Sequence, residues 1–139
     1  MLFTVDSCVF IAAVLDTEPA HQASKEFLIR LKTREQPCVI PATVLVETAC
    51  ALARRSTVND IGMRVYSRLS EDPTITVMPL SASDAVTITE LGTRCRLRGM
   101  DAIVAACAKK AGATLVTLDE ELIEKLDGVL TIKRPSETG

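Results

Sequence analysis

The sequence predicts an α/β fold in which a parallel sheet lies between two layers of helices. Short apolar runs alternate with longer stretches of helical periodicity along the 139 residues. This alternation is typical of parallel strands joined by helical crossovers. The runs are largely continuous in their apolar character, as expected for strands covered on both faces. We therefore expect a three-layer α/β/α sandwich with a central, mainly parallel sheet of four to five strands.

Each predicted strand is a short apolar run that ends at a polar or turn-forming residue. The first ends at Asp6, the second is closed by Pro41, and the fourth leads into Asp119. The predicted strands cover residues 2–5, 38–40, 75–78, 114–118 and about 129–132.

Helices are predicted where apolar residues recur at helical spacing between these strands. Ser7 can cap the first helix, and Ser81 or Ser83 can cap the fifth. Thr57 and Asp60 resemble a capping box for the fourth helix. The predicted helices cover about 8–15, 20–33, 42–53, 58–70, 84–95, 99–108 and 119–126. The chain length suits one domain, which we place at 1–132 with a frayed C-terminal tail at 133–139.

Composition limits the classes of function. Five cysteines, an odd number without a C-x-x-C pair, favour reduced apolar side chains in a cytoplasmic protein. With His21 as the single histidine, neither a zinc site nor a mechanism that needs two histidines is expected. The net charge of −2 means that nucleic acid would have to bind through a local basic patch, a metal ion or both. No apolar run approaches the length of a membrane span, and the N-terminus lacks the features of a signal peptide.

Four carboxylates stand in apolar surroundings. Asp6 and Asp119 follow predicted strands, Glu47 is the only charge within 42–53, and Asp101 opens an apolar helix. Ligands of parallel sheets bind beyond the carboxyl ends of the strands, so these acids are candidates for one shared site. Converging carboxylates repel one another and need a cation, and a set of oxygen ligands suits Mg²⁺ or Mn²⁺. A purely structural role stays open for three of them, as helix caps.

Four short motifs carry a resemblance to a known family. They are Asp6-Ser7, Leu45-Val46-Glu47, Met100-Asp101-Ala102 and Thr117-Leu118-Asp119. In this order and spacing they resemble the motifs of PIN-domain nucleases, above all the VapC-type toxins of toxin–antitoxin pairs. The resemblance implies a PIN-like fold and a Mg²⁺- or Mn²⁺-dependent endoribonuclease. It also implies a homodimer, an RNA substrate and a cognate antitoxin protein as partner.

The expected roles follow from the chemistry of phosphodiester cleavage, in which carboxylate-held metal ions activate water and relieve charge. We expect Asp6 and Asp101 to be direct metal ligands, with Asp119 completing the set directly or through water. Glu47 would hold a metal-bound water or a second ion. Ser7 and Thr117 would orient water or phosphate, although they can equally be a helix cap and a strand residue. Cys8 stands where many relatives carry Asn, Ser or Thr, which puts one polar contact in doubt.

Other interpretations remain open. One is an RNA-processing PIN nuclease without an antitoxin, and another is a PIN-like binding module without catalysis. An aspartate-nucleophile phosphatase is disfavoured, because that chemistry usually needs a second Asp where this chain has Cys8. Arg94, Arg96 and Arg98 form either an RNA-facing patch or a solvated loop. The helical hairpin at 42–70 offers either ordinary core or a surface for a twin subunit or an antitoxin.

Overall fold

A computed structural model describes all 139 residues and confirms the predicted α/β architecture. Five strands form one sheet, and every neighbouring pair is parallel. The strands are β1 (Phe3–Val5), β2 (Cys38–Pro41), β3 (Ile75–Met78), β4 (Thr114–Val116) and β5 (Ile132–Lys133).

Seven α-helices connect or follow these strands, and a 3₁₀ turn (Pro135–Glu137) lies near the end of the chain. The helices are α1 (Ser7–Val14), α2 (His21–Thr33), α3 (Ala42–Arg55), α4 (Ile61–Glu71), α5 (Ala82–Cys95), α6 (Gly99–Ala111) and α7 (Glu120–Lys125). None of them combines the length and the apolar content that crossing a membrane requires.

The strand order is β3-β2-β1-β4-β5, so the chain reverses its direction across the sheet after β3. Because parallel crossovers are right-handed, this reversal puts α5–α7 on the face opposite α1–α4. The two halves meet where β1 pairs with β4, with Val5 level with Val116. The backbone N–H of Asp6 donates to the Val116 carbonyl at 2.9 Å. The first residues beyond β1 and β4 are therefore neighbours at the carboxyl edge of the sheet.

The core holds both helix layers against the central strands. Phe3 of β1 and Phe27 of α2 pack edge to face, with ring centroids 5.6 Å apart. On α6 the small residues Ala102, Ala105 and Ala108 are all buried, so this helix lies close against its neighbours. The apolar stretch that follows Asp101 thus anchors the helix that carries this carboxylate.

Three helix starts show where local signals were interpreted correctly and where they were not. Ser81 caps α5 in a full capping box with Asp84. The prediction that Ser7 caps the first helix is wrong, because the Asp6 carboxylate is the cap and Ser7 is already helical. The predicted box for the fourth helix is also absent. Asp60 adopts a left-handed conformation there, with φ 58° and no side-chain cap, so α4 begins only at Ile61.

The C-terminal segment is ordered, contrary to the expected frayed tail. Arg134 forms ion pairs with Glu120 and Glu137, and Pro135 is buried. Arg30 of α2 donates to the Thr138 hydroxyl at 2.9 Å. The last strand also starts later than predicted, because the Val129 and Leu130 N–H groups donate back to the Leu126 carbonyl.

Candidate active site

Asp6 lies directly beyond β1, and its carboxylate is only 7% exposed. Oδ1 accepts a hydrogen bond from the Ser7 backbone N–H at 2.8 Å. Oδ2 accepts from the Thr117 hydroxyl at 2.7 Å and from the Cys8 thiol at 3.4 Å. Burial raises the pKa of Asp6, the three hydrogen bonds partly offset this, and the charge of Asp119 adds to the rise. A buried carboxylate that keeps such bonds is held in one orientation.

Thr117 and Cys8 join the ends of β1 and β4. The Thr117 hydroxyl is fully buried, donates to Asp6 and accepts from the Asp119 backbone N–H at 3.1 Å. Cys8 Sγ lies 3.5 Å from Thr117 Oγ1 and accepts from the Leu118 N–H at 3.4 Å. Burial raises the pKa of the Cys8 thiol to about 12. The Cys8 sulfur thus makes polar contacts with Asp6, Thr117 and the Leu118 N–H.

Asp119 caps a helix with one carboxylate oxygen, and its charge acts on two of the other acids. Oδ1 accepts from the backbone N–H groups of Glu121 and Leu122 at 3.0 and 3.2 Å, which makes it the cap of α7. The structural interpretation of this residue is therefore correct as far as it goes. Oδ2 accepts no hydrogen bond, and the charge of Asp119 raises the pKa of both Asp6 and Asp101. One oxygen is used for folding and one stays available.

Glu47 and Asp101 complete the cluster from two helices. Both side chains are partly buried, Glu47 on α3 and Asp101 in the first turn of α6. Burial raises the pKa of Glu47, the charges of Asp6 and Asp101 raise it further, and the Ser7 side chain lowers it. Burial likewise raises the pKa of Asp101, as do the charges of Asp6 and Asp119. Neighbouring acids therefore raise the pKa of Asp6, Glu47 and Asp101.

The charge of this cluster is only weakly compensated within the chain, by Arg98, which lowers the pKa of Asp101. Seven salt bridges occur elsewhere, but none includes one of the four acids. No three acidic, histidine or cysteine side chains are close enough to hold one metal ion directly. Mg²⁺, however, usually keeps several waters and takes only one or two protein carboxylates as direct ligands. The oxygen-only donors and their unbalanced charge fit such an ion.

The three arginines of the predicted basic patch lie in different settings. Arg98 is the N-cap residue of α6 and sits 3.8 Å from Glu121. Arg96 is exposed and ends α5 in a left-handed conformation. Arg94 lines a cavity of about 430 Å³ between α5 and α6 that contains none of the four acids. His21, by contrast, is structural, since its Nδ1 lies 2.7 Å from the Ala12 carbonyl and ties α2 to α1.

Comparison with known proteins adds to this geometry. The family model of the PIN domain matches residues 3–129. No curated protein matches the sequence.

Several solved structures share the fold at low sequence identity. The toxin VapC20 from Mycobacterium tuberculosis, described as cleaving the sarcin-ricin loop, is 20% identical with a TM-score of 0.72, over 88% of this chain and 93% of its own. A toxin–antitoxin complex from Klebsiella pneumoniae is 19% identical with a TM-score of 0.70, over 95% and 96% of the two chains. VapBC-1 from nontypeable Haemophilus influenzae is 14% identical with a TM-score of 0.70, over 99% and 100%.

Proposed function

The chain belongs to the PIN-domain family, and from this premise we propose that it is a metal-dependent endoribonuclease, the toxin of a toxin–antitoxin pair. PIN nucleases generally use divalent metal ions. The observation that carries the proposal is the set of four carboxylates that includes buried Asp6: neighbouring acids raise the pKa of Asp6, Glu47 and Asp101, and none of the four forms a salt bridge. Such a set destabilises the fold unless a cation binds it, so its presence supports a role in binding one.

Each residue of the candidate site has a proposed role in RNA cleavage. Asp6 and Asp101 would hold Mg²⁺ or Mn²⁺, with Asp119 contributing its free oxygen through a bound water, since no three acids are close enough to ligate one ion directly. Glu47 would orient a metal-bound water or help to hold a second ion. A bound ion would supply the activation of water and the relief of negative charge at the reacting phosphate. Thr117 keeps Asp6 in a single orientation through its buried hydroxyl, which is already bonded to Asp6 and Asp119. Ser7 is therefore the hydroxyl that would orient water or phosphate.

The toxin assignment is supported by the kinds of protein that share the fold. One similar structure is described as a toxin that cleaves the sarcin-ricin loop and another as a toxin–antitoxin complex. We therefore propose a cytoplasmic homodimer that an antitoxin neutralises. Expression of the chain alone should arrest growth, and co-expression of the neighbouring small open reading frame should restore it. Growth unaffected by high-level expression would favour an RNA-processing nuclease instead.

Cleavage of RNA tests the catalytic proposal directly. Purified protein should cleave a mixed RNA pool in Mg²⁺ or Mn²⁺ and lose this activity in EDTA. Asp6→Asn and Asp101→Asn should each abolish cleavage while the protein stays folded. Asp127→Asn is the matched control, because Asp127 is an exposed acid outside the cluster. Full activity of either cluster variant would refute the proposed site, and equal activity in EDTA would refute the metal.

A further inference from the structure

The negative charge of the proposed site disfavours the binding of its RNA substrate. Two more acids, Glu120 and Glu121, open α7 directly after Asp119, and the charge of Glu121 raises the pKa of Asp101. The phosphates of RNA would meet this negative surface, and the net charge of the chain is itself −2. A protein binds a polyanion through cationic side chains that displace the counterions condensed on its phosphates. A cation at the mouth of the site is therefore needed in addition to any metal ion.

Two of the three cations that pair with acids of α7 are held by further contacts. Lys125 Nζ donates to the Arg96 carbonyl at 2.8 Å and pairs with Glu121 at 2.6 Å. Arg134 is bound between Glu120 and Glu137. Arg98 is different, because its only pairing is the 3.8 Å approach to Glu121 and its side chain is 83% exposed. Its guanidinium donors remain available to a ligand.

The position of Arg98 is fixed by the backbone around it. Arg96 takes a left-handed conformation with φ 56° and ψ 46°, and the Leu97 N–H donates back to the Gly92 carbonyl at 2.8 Å. The bond from Lys125 holds the Arg96 carbonyl from the side of α7. The loop that presents Arg98 is thus tied to two helices.

This fixed loop places Arg98 next to the acids. Arg98 precedes Asp101 by three residues at the start of α6, and residues at this spacing are neighbours on a helix surface. Its positive charge accordingly lowers the pKa of Asp101 against the effect of burial. Arg98 is therefore a loosely paired cation within one helical turn of a proposed metal ligand.

We propose that Arg98 is a substrate-positioning residue that exchanges its contact with Glu121 for a phosphate of the RNA backbone. A guanidinium binds phosphate through two parallel N–H donors, which fixes the backbone as well as attracting it. The inference rests on the proposed nuclease function, because it assigns Arg98 to the substrate of that same site. The proposal gives Arg98 a role that Arg94 does not share, because Arg94 lines the cavity between α5 and α6.

RNA binding without cleavage tests the proposal. In an Asp6→Asn background with Mg²⁺ present, anisotropy of a labelled single-stranded RNA pool would be measured between 50 and 200 mM KCl, about the range in which salt dependence is resolved. Adding Arg98→Gln should weaken RNA binding about 3- to 10-fold. It should also reduce the slope of log K for binding against log[KCl] by about 0.7. Arg98→Lys should retain the slope and only part of the affinity. Arg64→Gln, which removes an exposed and unpaired arginine on α4, should change neither.

Three results would overturn the inference: no binding by the Asp6→Asn parent, no effect of Arg98→Gln, or an equal effect of Arg64→Gln. In the protein with Asp6 intact, Arg98→Gln should raise KM for cleavage and leave kcat within about twofold. Failure of the nuclease proposal is distinguishable, since it appears as RNA that is bound through Arg98 but not cleaved. Cleavage that ignores Arg98 would refute this inference alone.

Discussion

Replacing Thr117 by valine removes one buried oxygen that serves two partners. The hydroxyl donates to Asp6 Oδ2 at 2.7 Å and accepts from the Asp119 N–H at 3.1 Å. Valine has nearly the same shape, so the core keeps its packing while both hydrogen bonds are lost. The perturbation therefore isolates the polar link between the ends of β1 and β4.

The expected loss of stability follows from the two hydrogen bonds of the Thr117 hydroxyl. A hydrogen bond to a charged group contributes about 1.5–3 kcal/mol, and an N–H left without a partner costs about 1–3 kcal/mol when fully buried. Asp119 is only partly buried, so water can satisfy some of that loss. We expect the free energy of unfolding at pH 7 to fall by about 2–4 kcal/mol. For a chain of this size, this corresponds to a decrease in Tm of about 5–12 °C.

Urea unfolding at pH 7 measures this cost, and Thr114→Val provides the control. Thr114 is also a buried threonine, at 8% exposure on β4, but its hydroxyl makes no side-chain hydrogen bond. Its replacement should change stability by less than about 0.5 kcal/mol. The cost of Thr117→Val should also shrink at low pH, because the bond to Asp6 weakens once that carboxylate is protonated. Equal losses for the two variants would refute the role given to Thr117.

Three further predictions concern stability. In EDTA, Asp101→Asn should raise Tm at pH 7. The pKa of Asp101 is raised in the folded state, so its ionisation costs stability as the pH rises through the folded pKa. The gain in Tm should vanish below about pH 3.5, where Asp101 is neutral in both the folded and the unfolded protein. An absent or pH-independent gain in thermal scans would contradict this. Arg96→Gly should stabilise the fold and Gly112→Ala should destabilise it, by about 1 kcal/mol each in urea unfolding. The reason is that both positions end a helix at positive φ, 56° and 65°, which favours glycine. A change in stability of the same sign for both variants would refute the argument. Gly62→Ala should destabilise the fold by about 1–2 kcal/mol, although alanine has the better helix propensity. The Cβ of the new alanine would lie 2.5 Å from the Ala49 carbonyl oxygen on α3. A higher urea midpoint for this variant would exclude the clash.

Much of the site was predictable because its signals are local. Asp6 and Asp119 each follow a strand, and a parallel sheet brings the ends of its strands to one edge whatever the details of packing. Glu47 stood out because a single charge on an otherwise apolar helix segment is unusual. The ambiguity of Asp119 between cap and site residue was also real, since it serves as the cap of α7 with one oxygen only.

The parts that sequence reasoning missed depend on contacts between distant residues. Ser7 was assigned the cap of the first helix because serine is a common cap, but Asp6 takes that place while Thr117, 111 residues away, holds its other oxygen. The role of Cys8 could not be read from its neighbours, because its partner N–H belongs to Leu118. The tail looked frayed because its anchor, Arg30, lies 108 residues earlier than Thr138.

The sequence by itself thus determined the alternation of strands and helices and the identity of the four acids. Both are consequences of apolar periodicity and of charges placed at the ends of apolar segments. The tertiary structure decided which oxygens of Asp6 and Asp119 are hydrogen-bonded and which residues raise or lower the pKa of Asp6, Glu47 and Asp101. It also decided that Arg98 is the most loosely paired of the three cations on the acids of α7. The physical reason is that hydrogen bonds, burial and charge interactions act through space, and only the folded chain determines which groups are close.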